Sequence, residues 1–407
     1  MKIVVQKFGG TSLSTDKRRA MVINKIVSTK KQGYNMVVVV SAMGRQGDPY
    51  ATDTLKDLIL EDAGNCSSKH LDLLMSCGEI ISSVVLASSL ETRGYKVAVL
   101  TSYQSGILTD NTFGNADILS INTKGILNNL EEDKIVIVPG FQGITNNGEI
   151  TTLGRGGSDT SAAALGVALN ADCVEIYTDV DGIMTADPNI VPKARIIDEI
   201  NYDEVFQMAE KGAKIIHPRA VEIAQNGNIP IKIKNTLTDH PGTSIHYCCK
   251  NKMSTSYSSR HKDQLLTAIT HKNHITQVSI YSDGDSNKDS KILSALAQAD
   301  VSIDMINFSL DKKVFTISDE KLSTLEEVFM GFNIKYNILN NCSKVTIIGS
   351  RITGIPGVMA TVANALAQKN IQILQTSDSH ATISCLVKEE DTEVAINLLH
   401  GAFCLDQ

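Results

Sequence analysis

The chain has 407 residues, 42% of them hydrophobic, with 45 acidic and 38 basic side chains and a formal charge of −7. That length supports several domains and a large core, while the acidic balance argues against a nucleic-acid partner, which needs clustered basic surface. No apolar run approaches the ~20 residues that cross a bilayer, and the N-terminus reads as a strand and not as a secretion signal, so no membrane partner is expected.

The eight cysteines are scattered, with only Cys248 and Cys249 adjacent. This usage fits free thiols in a reducing cytoplasm better than a disulfide framework. In chain order, Ile3–Gln6 is β-branched, as a buried parallel strand should be. Lys7-Phe-Gly-Gly-Thr-Ser12 follows, and Ser14 or Thr15 then caps a helix carrying Met21, Val22, Ile26 and Val27. Strand, glycine loop and helix together are the layout of a phosphate cradle, with charge from Lys7 and N–H donors from Gly9 and Gly10. Otherwise Lys7 is a basic residue at the end of a buried strand, and it then needs a partner. The chain has no Gly-Lys dipeptide for a Walker-type loop, and Gly154, Gly156 and Gly157 lack dinucleotide-fingerprint spacing.

Met36–Val40 is a second strand, ending in Ser41-Ala-Met-Gly44, a hydroxyl and a glycine where an open α/β sheet places its ligand crevice. Asp48–Thr54 makes a turn and a helix cap, and a helix around Leu71–Leu90 carries Ser76-Cys-Gly-Glu79. Glu79 is either a surface charge or an amine-binding carboxylate. Val97–Leu100 and Ile135–Gly143 are further strands, and Asn146-Asn-Gly148 reads as a hairpin turn. Thr151-Thr-Leu-Gly-Arg-Gly-Gly-Ser-Asp159 then precedes an apolar helical run through Leu169. It is either a glycine turn capped by Ser158 or Asp159, or an anion site at a helix N-terminus with Arg155 as its fork. A strand runs into Thr178-Asp179, followed by a loop with Asp181, Gly182 and Asp187 that lacks calcium-loop spacing. Lys214 lies near a helix end, and His217 before Pro218 reads as structural. A strand over Ile229–Lys234 and Gly242–Ile245 close the first domain.

Tyr247–Lys262 is polar and aperiodic, a linker. Beyond it lies an internal repeat of about 70 residues. The first copy has strands Gln277–Tyr281, Val301–Phe308, Val314–Ile317 and Ile334–Ile338 with helices Lys291–Gln298 and Leu322–Phe332. The second runs from Val345 through a helix after Gly357, strands Ile371–Ser377 and Ala381–Val387, helix Asp391–Leu399, and a last strand Phe403–Leu405. Both read β-α-β-β-α-β. Neither copy holds a catalytic-looking cluster, so binding or scaffolding is expected of that half.

Taken together, Lys7–Ser12, Ser41–Gly44, Gly78-Glu79, Gly154–Asp159, Thr178–Gly182 and Lys214 make the chain resemble aspartate kinases of the amino-acid kinase family. The repeats look like their paired ACT domains, through Gly354-Ile-Pro-Gly357 and Gln375–Ser379, and Asp48–Asp53 is most similar to the diaminopimelate-sensitive bacterial type. The resemblance implies a three-layer α/β kinase domain with a mainly parallel sheet (1–246), a linker (247–262) and two α+β ACT domains (263–340, 341–407). It implies transfer from ATP, with Mg²⁺, to the side-chain carboxylate of L-aspartate. It carries over Lys7, Phe8, Gly9 and Gly10 to the ATP phosphates, and Thr178, Asp179, Met184 and Lys214 to the rest of the nucleotide. Ser41, Thr52, Glu79, Arg155 and Ser158 would hold aspartate, and Asp159 would orient Lys7. No protein metal site is implied. Asn307, Met359 and Asp378 are the candidate contacts of an inhibitory amino acid (lysine, threonine or diaminopimelate), in a homodimer or higher oligomer joined through the ACT domains. Many relatives have Tyr-Thr-Ala-Asp-Pro-Arg where this chain has Met184-Thr-Ala-Asp-Pro-Asn189, which removes an aromatic and a cation near the nucleotide. The alternatives are another kinase of the same fold, acting on glutamate, acetylglutamate or a nucleotide, or a ligand-binding subunit with an inactive kinase domain.

Overall fold

A computed structural model of the protein describes residues 1–60, 66–213, 215–247, 266–281, 286–332, 334–349, 352 and 355–406. They form two compact units, the first made of the described residues of 1–183, 196–209 and 215–247, the second of those of 184–195, 210–213 and 266–406. Segments 184–195 and 210–213, expected in the first domain, therefore fold with the second unit.

In the first unit, β1 (Ile3–Phe8) leads through α1 (Gly10–Leu13) and α2 (Asp16–Lys31) to β2 (Asn35–Val40). Thr15 caps α2 as expected, its hydroxyl accepting from the Arg18 N–H. Then come α3 (Thr52–Leu60), α4 (Ser68–Glu91), β3 (Val97–Val99), α5 (Ser102–Ser105), β4 (Ile107–Thr109) and β5 (Ile118–Ile121). Next are α6 (Lys124–Glu131), β6 (Ile135–Pro139), β7 (Gln142–Ile144), β8 (Ile150–Thr152), α7 (Gly157–Ala168) and β9 (Cys173–Thr178). The unit ends with β10 (Glu199–Ile200), α8 (Tyr202–Glu210), α9 (Pro218–Asn226), β11 (Ile231–Asn235) and β12 (Thr243–Ile245).

Its main sheet has the order β10-β12-β11-β9-β1-β2-β6-β3, parallel except where β11 meets β12. Both faces are covered, which is why the central strands are runs of buried valine and isoleucine. Val4, Phe8, Met36, Val38, Val40, Ile135 and Ile137 pack with α2 and α4 on one face. On the other, α7 crosses β1 and β9. It can lie that close because it is rich in alanine and because Gly166 meets Val174, where any Cβ would come within 2.3 Å. A smaller sheet, β5-β4-β7-β8, contains the expected turn at 146–148.

Helix α4 is long and apolar enough, by length and composition, to cross a membrane, but half of that window is buried inside the protein. It is a core helix, and it carries two buried carboxylates, Asp72 and Glu79.

The second unit contains β13 (Ala268–Tyr281), α10 (Ser286–Gln298), β14 (Asp304–Phe308), β15 (Lys312–Ser318), α11 (Leu322–Met330) and β16 (Tyr336–Ile348). It continues with α12 (Val358–Ala367), β17 (Gln375–Asp378), β18 (Thr382–Lys388) and α13 (Thr392–Ala402). These strands form one sheet, β14-β15-β13-β16-β18-β17. The strand expected over Phe403–Leu405 is turn instead. Its place beside β16 is filled from the other end of the unit: Ala268–Lys272 of β13 pairs antiparallel with Lys344–Ile348, while Ile275–Tyr281 of the same strand pairs with β15. The two repeats thus share two long strands and keep separate cores. One core contains Val278, Ile292, Phe315 and Phe329; the other contains Ile347, Val362, Leu366 and Ile396. Ala186 and Val191 join the latter core, and Thr185 hydrogen-bonds the buried His400 at 2.9 Å, which explains why 184–195 leaves the first unit. The linker beyond Tyr247, with Cys248 and Cys249, lies outside the described residues. The six described cysteines are free thiols.

Candidate active site

Strands β1, β2, β6 and β9 are parallel, so their C-terminal ends meet along one edge, where Lys7, Ser41 and Thr178 sit. Lys7 is the penultimate residue of β1, and its Nζ lies 2.6 Å from Asp159 Oδ1 in the first turn of α7. Only 13% of either side chain is exposed. The partner that a lysine at a buried strand end requires is therefore on α7, across the sheet edge. The Gly9–Gly10 turn presses against the loop after β2, where Gly44 N–H donates to Gly10 O at 3.0 Å and Ser41 N–H to Phe8 O at 3.1 Å. A Cβ on Gly10 would stand 2.4 Å from Ala42 O, so only glycine fits. The Phe8 side chain is turned away, fully buried and stacked on Tyr177; it leaves only its backbone near the glycine turn.

Glu79 is 2% exposed. Gly78 lets α4 approach the loop after β2, since a Cβ there would meet Ala42 Cβ at 2.7 Å and Tyr50 O at 2.8 Å. That approach allows Ala42 N–H to donate to Glu79 Oε1 at 3.1 Å, while Oε2 is buried with no hydrogen-bond partner among the described residues. Burial pushes the Glu79 carboxyl up to about 8, against the opposing pull of the Ala42 N–H. A buried carboxyl with a vacant oxygen suits an incoming ammonium group and excludes the surface-charge reading. Ser41, beside Ala42, and Thr52, the first residue of α3, are both half-buried.

Arg155 is exposed and stands between two left-handed glycines, Gly154 (φ +73°) and Gly156 (φ +69°). Gly154 packs on Asn115, and Gly156 on the ring of His217. His217 is the residue before α9, and burial lowers its pKa despite Asp159 nearby, so it is neutral at pH 7. Its side chain lies against Gly156, where a Cβ would come within 2.3 Å of it. Ser158 is buried against Gly140 at the end of β6.

Thr178 ends β9 and Asp179 follows it, pairing with Arg45 at 3.1 Å. Both partners are largely exposed, so the pair contributes little to stability and is free to exchange for a ligand. Asp181 instead holds the 235–238 loop through Asn235 Nδ2 and Thr238 Oγ1. Half-buried Met184 opens the segment that folds with the second unit. Asn189 turns back on Asp187, donating to it through both its N–H and its side-chain amide. Lys214 lies outside the described residues. In the second unit, Asn307 and Asp378 are exposed on β14 and β17, the outer strands of its sheet, and Met359 is exposed in the first turn of α12.

Three residues were not singled out from sequence. Phe141, at φ +69°, sits between β6 and β7 and packs on Gly157 at the start of α7. Its positive φ has no local signature. Asp72 and Arg219 both grip the backbone beside Gly154, through partners too far along the chain for any spacing rule to find.

Residues 2–235 match the model of the amino acid kinase family, and residues 337–401 match that of the ACT domain. Aspartokinase 1 of Bacillus subtilis is 42% identical over 408 residues, spanning the whole of both chains. The structure resembles that of E. coli aspartokinase III in complex with aspartate and ADP (R-state) with a TM-score of 0.78 and 26% identity, covering 98% of this chain and 99% of that one. The same enzyme in complex with lysine and aspartate (T-state) gives a TM-score of 0.77 at 26% identity, covering 99% and 100%.

Proposed function

The chain belongs to the amino acid kinase family, and from that premise we propose that it is an aspartokinase, transferring the terminal phosphoryl group of ATP to the side-chain carboxylate of L-aspartate. The observation that carries this reading is the pairing, along one sheet edge, of a Lys7–Asp159 ion pair beside the glycine cradle with the half-vacant buried carboxyl of Glu79.

The acceptor carboxylate is already ionised at neutral pH, so no general base is needed. Its oxygen attacks the γ-phosphorus in line, the bond from that phosphorus to the β–γ bridging oxygen breaks, and ADP leaves with the electron pair. Lys7 and the N–H groups of Gly9 and Gly10 hold and neutralise the transferring oxygens, so the chain's work is positioning and electrostatics. Asp159 keeps the Lys7 ammonium aimed at the cradle. Glu79 takes the aspartate ammonium, Arg155 a carboxylate, and Ser41, Thr52 and Ser158 complete the acceptor wall. The donor set fits a nucleotide triphosphate: an ammonium and backbone N–H groups at a strand end. Mg²⁺ carried by the nucleotide would supply further charge neutralisation.

The ACT half makes the enzyme a feedback-regulated entry to lysine, threonine and methionine synthesis in the cytoplasm. An end-product amino acid (lysine, threonine or diaminopimelate) would bind near Asn307, Met359 and Asp378, in a homodimer or higher oligomer joined through the ACT domains. Inhibition then requires the ligand to prefer one of two states.

Glu79 sets a pH signature. Below its free-enzyme pKa of about 8 the carboxyl is protonated, and the ammonium of aspartate binds only the ionised form. Aspartate binding at pH 7 should release about one proton per site. The apparent Kd for aspartate should fall about tenfold per pH unit towards pH 8 and then level. Calorimetry in buffers of differing ionisation enthalpy reads the proton directly; a pH-independent Kd with no proton released would exclude Glu79 as the ammonium site. The acceptor itself is tested by ADP release with aspartate, glutamate, N-acetylglutamate and UMP. Turnover confined to aspartate supports the assignment, turnover with another acceptor replaces it, and none at all favours a ligand-binding subunit.

A further inference from the structure

We infer that Asp72 is a positioning residue that sets where Arg155 stands relative to Glu79 and so tunes affinity for the acceptor. The inference rests on Arg155 being the acceptor's carboxylate ligand. Asp72 and Glu79 are seven positions apart on α4, on the same face of the helix. Asp72 is fully buried. Its Oδ2 accepts from Gly114 N–H at 2.9 Å and Thr152 N–H at 2.8 Å, and its Oδ1 accepts from the Thr152 hydroxyl at 2.8 Å. The carboxylate is thus satisfied by backbone and hydroxyl donors, an arrangement that fixes geometry through short, charge-assisted bonds.

Its partners are the two sides of one turn. Thr152 ends β8, immediately before Leu153-Gly154-Arg155, and Gly114 precedes Asn115, whose Oδ1 would lie 2.5 Å from a Cβ on Gly154. Arg219 closes the same turn from the other side, donating to Leu153 O at 3.2 Å, Ala116 O at 2.8 Å and Asp117 Oδ1 at 2.7 Å. Arg155 therefore projects from a turn bolted to the helix that carries Glu79. Along α4 the two carboxylates are separated by about 10 Å of helix, a rigid spacer between the groups that take the ammonium and the carboxylate of one small acceptor. The hydrogen bonds of Asp72 and Arg219 named above go to 114–117 and 152–153 and not to Lys7–Gly10, so loosening them should affect the acceptor more than the nucleotide.

The test is initial-rate kinetics on the full chain, with aspartate and ATP varied separately, for wild type, T152V, D72N, D72A and R155A. T152V removes one hydroxyl bond and keeps the shape; it should raise KM for aspartate about fivefold, with KM for ATP unchanged. D72A should raise KM for aspartate about 100-fold, the scale of a ~1 Å misplacement. D72N, whose amide can still accept from the N–H groups and donate to the Thr152 oxygen, should recover most of that loss. If D72A does not fold, T152V and D72N decide. An aspartate KM that is unchanged in T152V and D72N, or that rises together with KM for ATP, overturns the inference while a raised KM in R155A leaves the Arg155 assignment standing. An unchanged KM in R155A overturns both.

Discussion

Replacing Lys7 by alanine should lower kcat by about 10³-fold, the scale of removing a preorganised charge from a phosphoryl- or acyl-transfer site. Lys7 Nζ is beside the Gly9 turn and is held there by Asp159 at 2.6 Å. Its contribution grows as charge shifts on the transferring oxygens, so kcat should fall more than KM for ATP rises. Alanine also strands Asp159, whose side chain is only 13% exposed, and removing one partner of a largely buried pair costs about 3 kcal/mol. Thermal unfolding of the variant must therefore accompany its kinetics. K7R separates the two effects: it restores a cation for Asp159, and with it most of the lost stability, but its planar fork cannot reproduce an ammonium point charge in the cradle. We expect K7R to fold like the wild type and to remain nearly inactive. A K7A enzyme with near-normal kcat would remove the loop from the reaction.

The second large effect is at Glu79. E79Q should raise KM for aspartate by about 100-fold or more, the cost of deleting one member of a buried, hydrogen-bonded charge pair, and should leave KM for ATP near its original value. The same substitution should stabilise the ligand-free enzyme at alkaline pH. In the unfolded chain the Glu79 carboxyl ionises near 4.5, whereas in the fold burial holds it protonated up to about 8. The stability that the neutral carboxyl provides is complete below 4.5, is lost between 4.5 and 8 as the unfolded chain ionises, and stays lost above that. A shift of this size is worth a few kcal/mol. Glutamine is neutral throughout, so at pH 8 without aspartate E79Q should melt at a higher temperature than the wild type, with the gap closing towards pH 4.5. Aspartate should raise the wild-type Tm and leave that of E79Q unmoved. A variant that melts lower at pH 8 and still binds aspartate would show that Glu79 is an ordinary core carboxylate. Site function and stability oppose each other at this residue, as expected where a binding group is kept desolvated for a ligand.

Much of this site was legible in the sequence because its parts are local. A β-branched strand, a glycine pair and a capped helix announce the Lys7 cradle, and a lysine at a buried strand end demands a counter-charge, which the structure supplies as Asp159. Glu79 was ambiguous because helical spacing alone does not say which face is covered; Gly78, by admitting Ala42 and Tyr50, decides it. Asp72 and Arg219 were invisible for a related reason. Their partners lie 42 to 103 positions away and are mostly backbone groups, which leave no side-chain signature. The repeat was legible as two β-α-β-β-α-β copies, yet its last strand was misplaced. Phe403-Cys404-Leu405 is too short to distinguish a strand from a turn, and the vacancy beside β16 was filled by Ala268–Lys272, ahead of the first copy. Pairing between such distant segments is decided by tertiary packing, as is the attachment of residues 184–195 to the core around Ile347 and Ile396.

The most direct test of the account is to trap the product. Purified full-length protein with Mg-ATP, hydroxylamine and either aspartate or glutamate should yield an amino-acid hydroxamate from aspartate only, since hydroxylamine captures an acyl phosphate. With aspartate held near the wild-type KM, the yield should fall to background in K7A and close to it in E79Q. Hydroxamate from aspartate, lost in both variants, is the predicted result. ADP release without hydroxamate, or hydroxamate undiminished in either variant, would contradict the assignment of this sheet edge as the site of carboxylate phosphorylation.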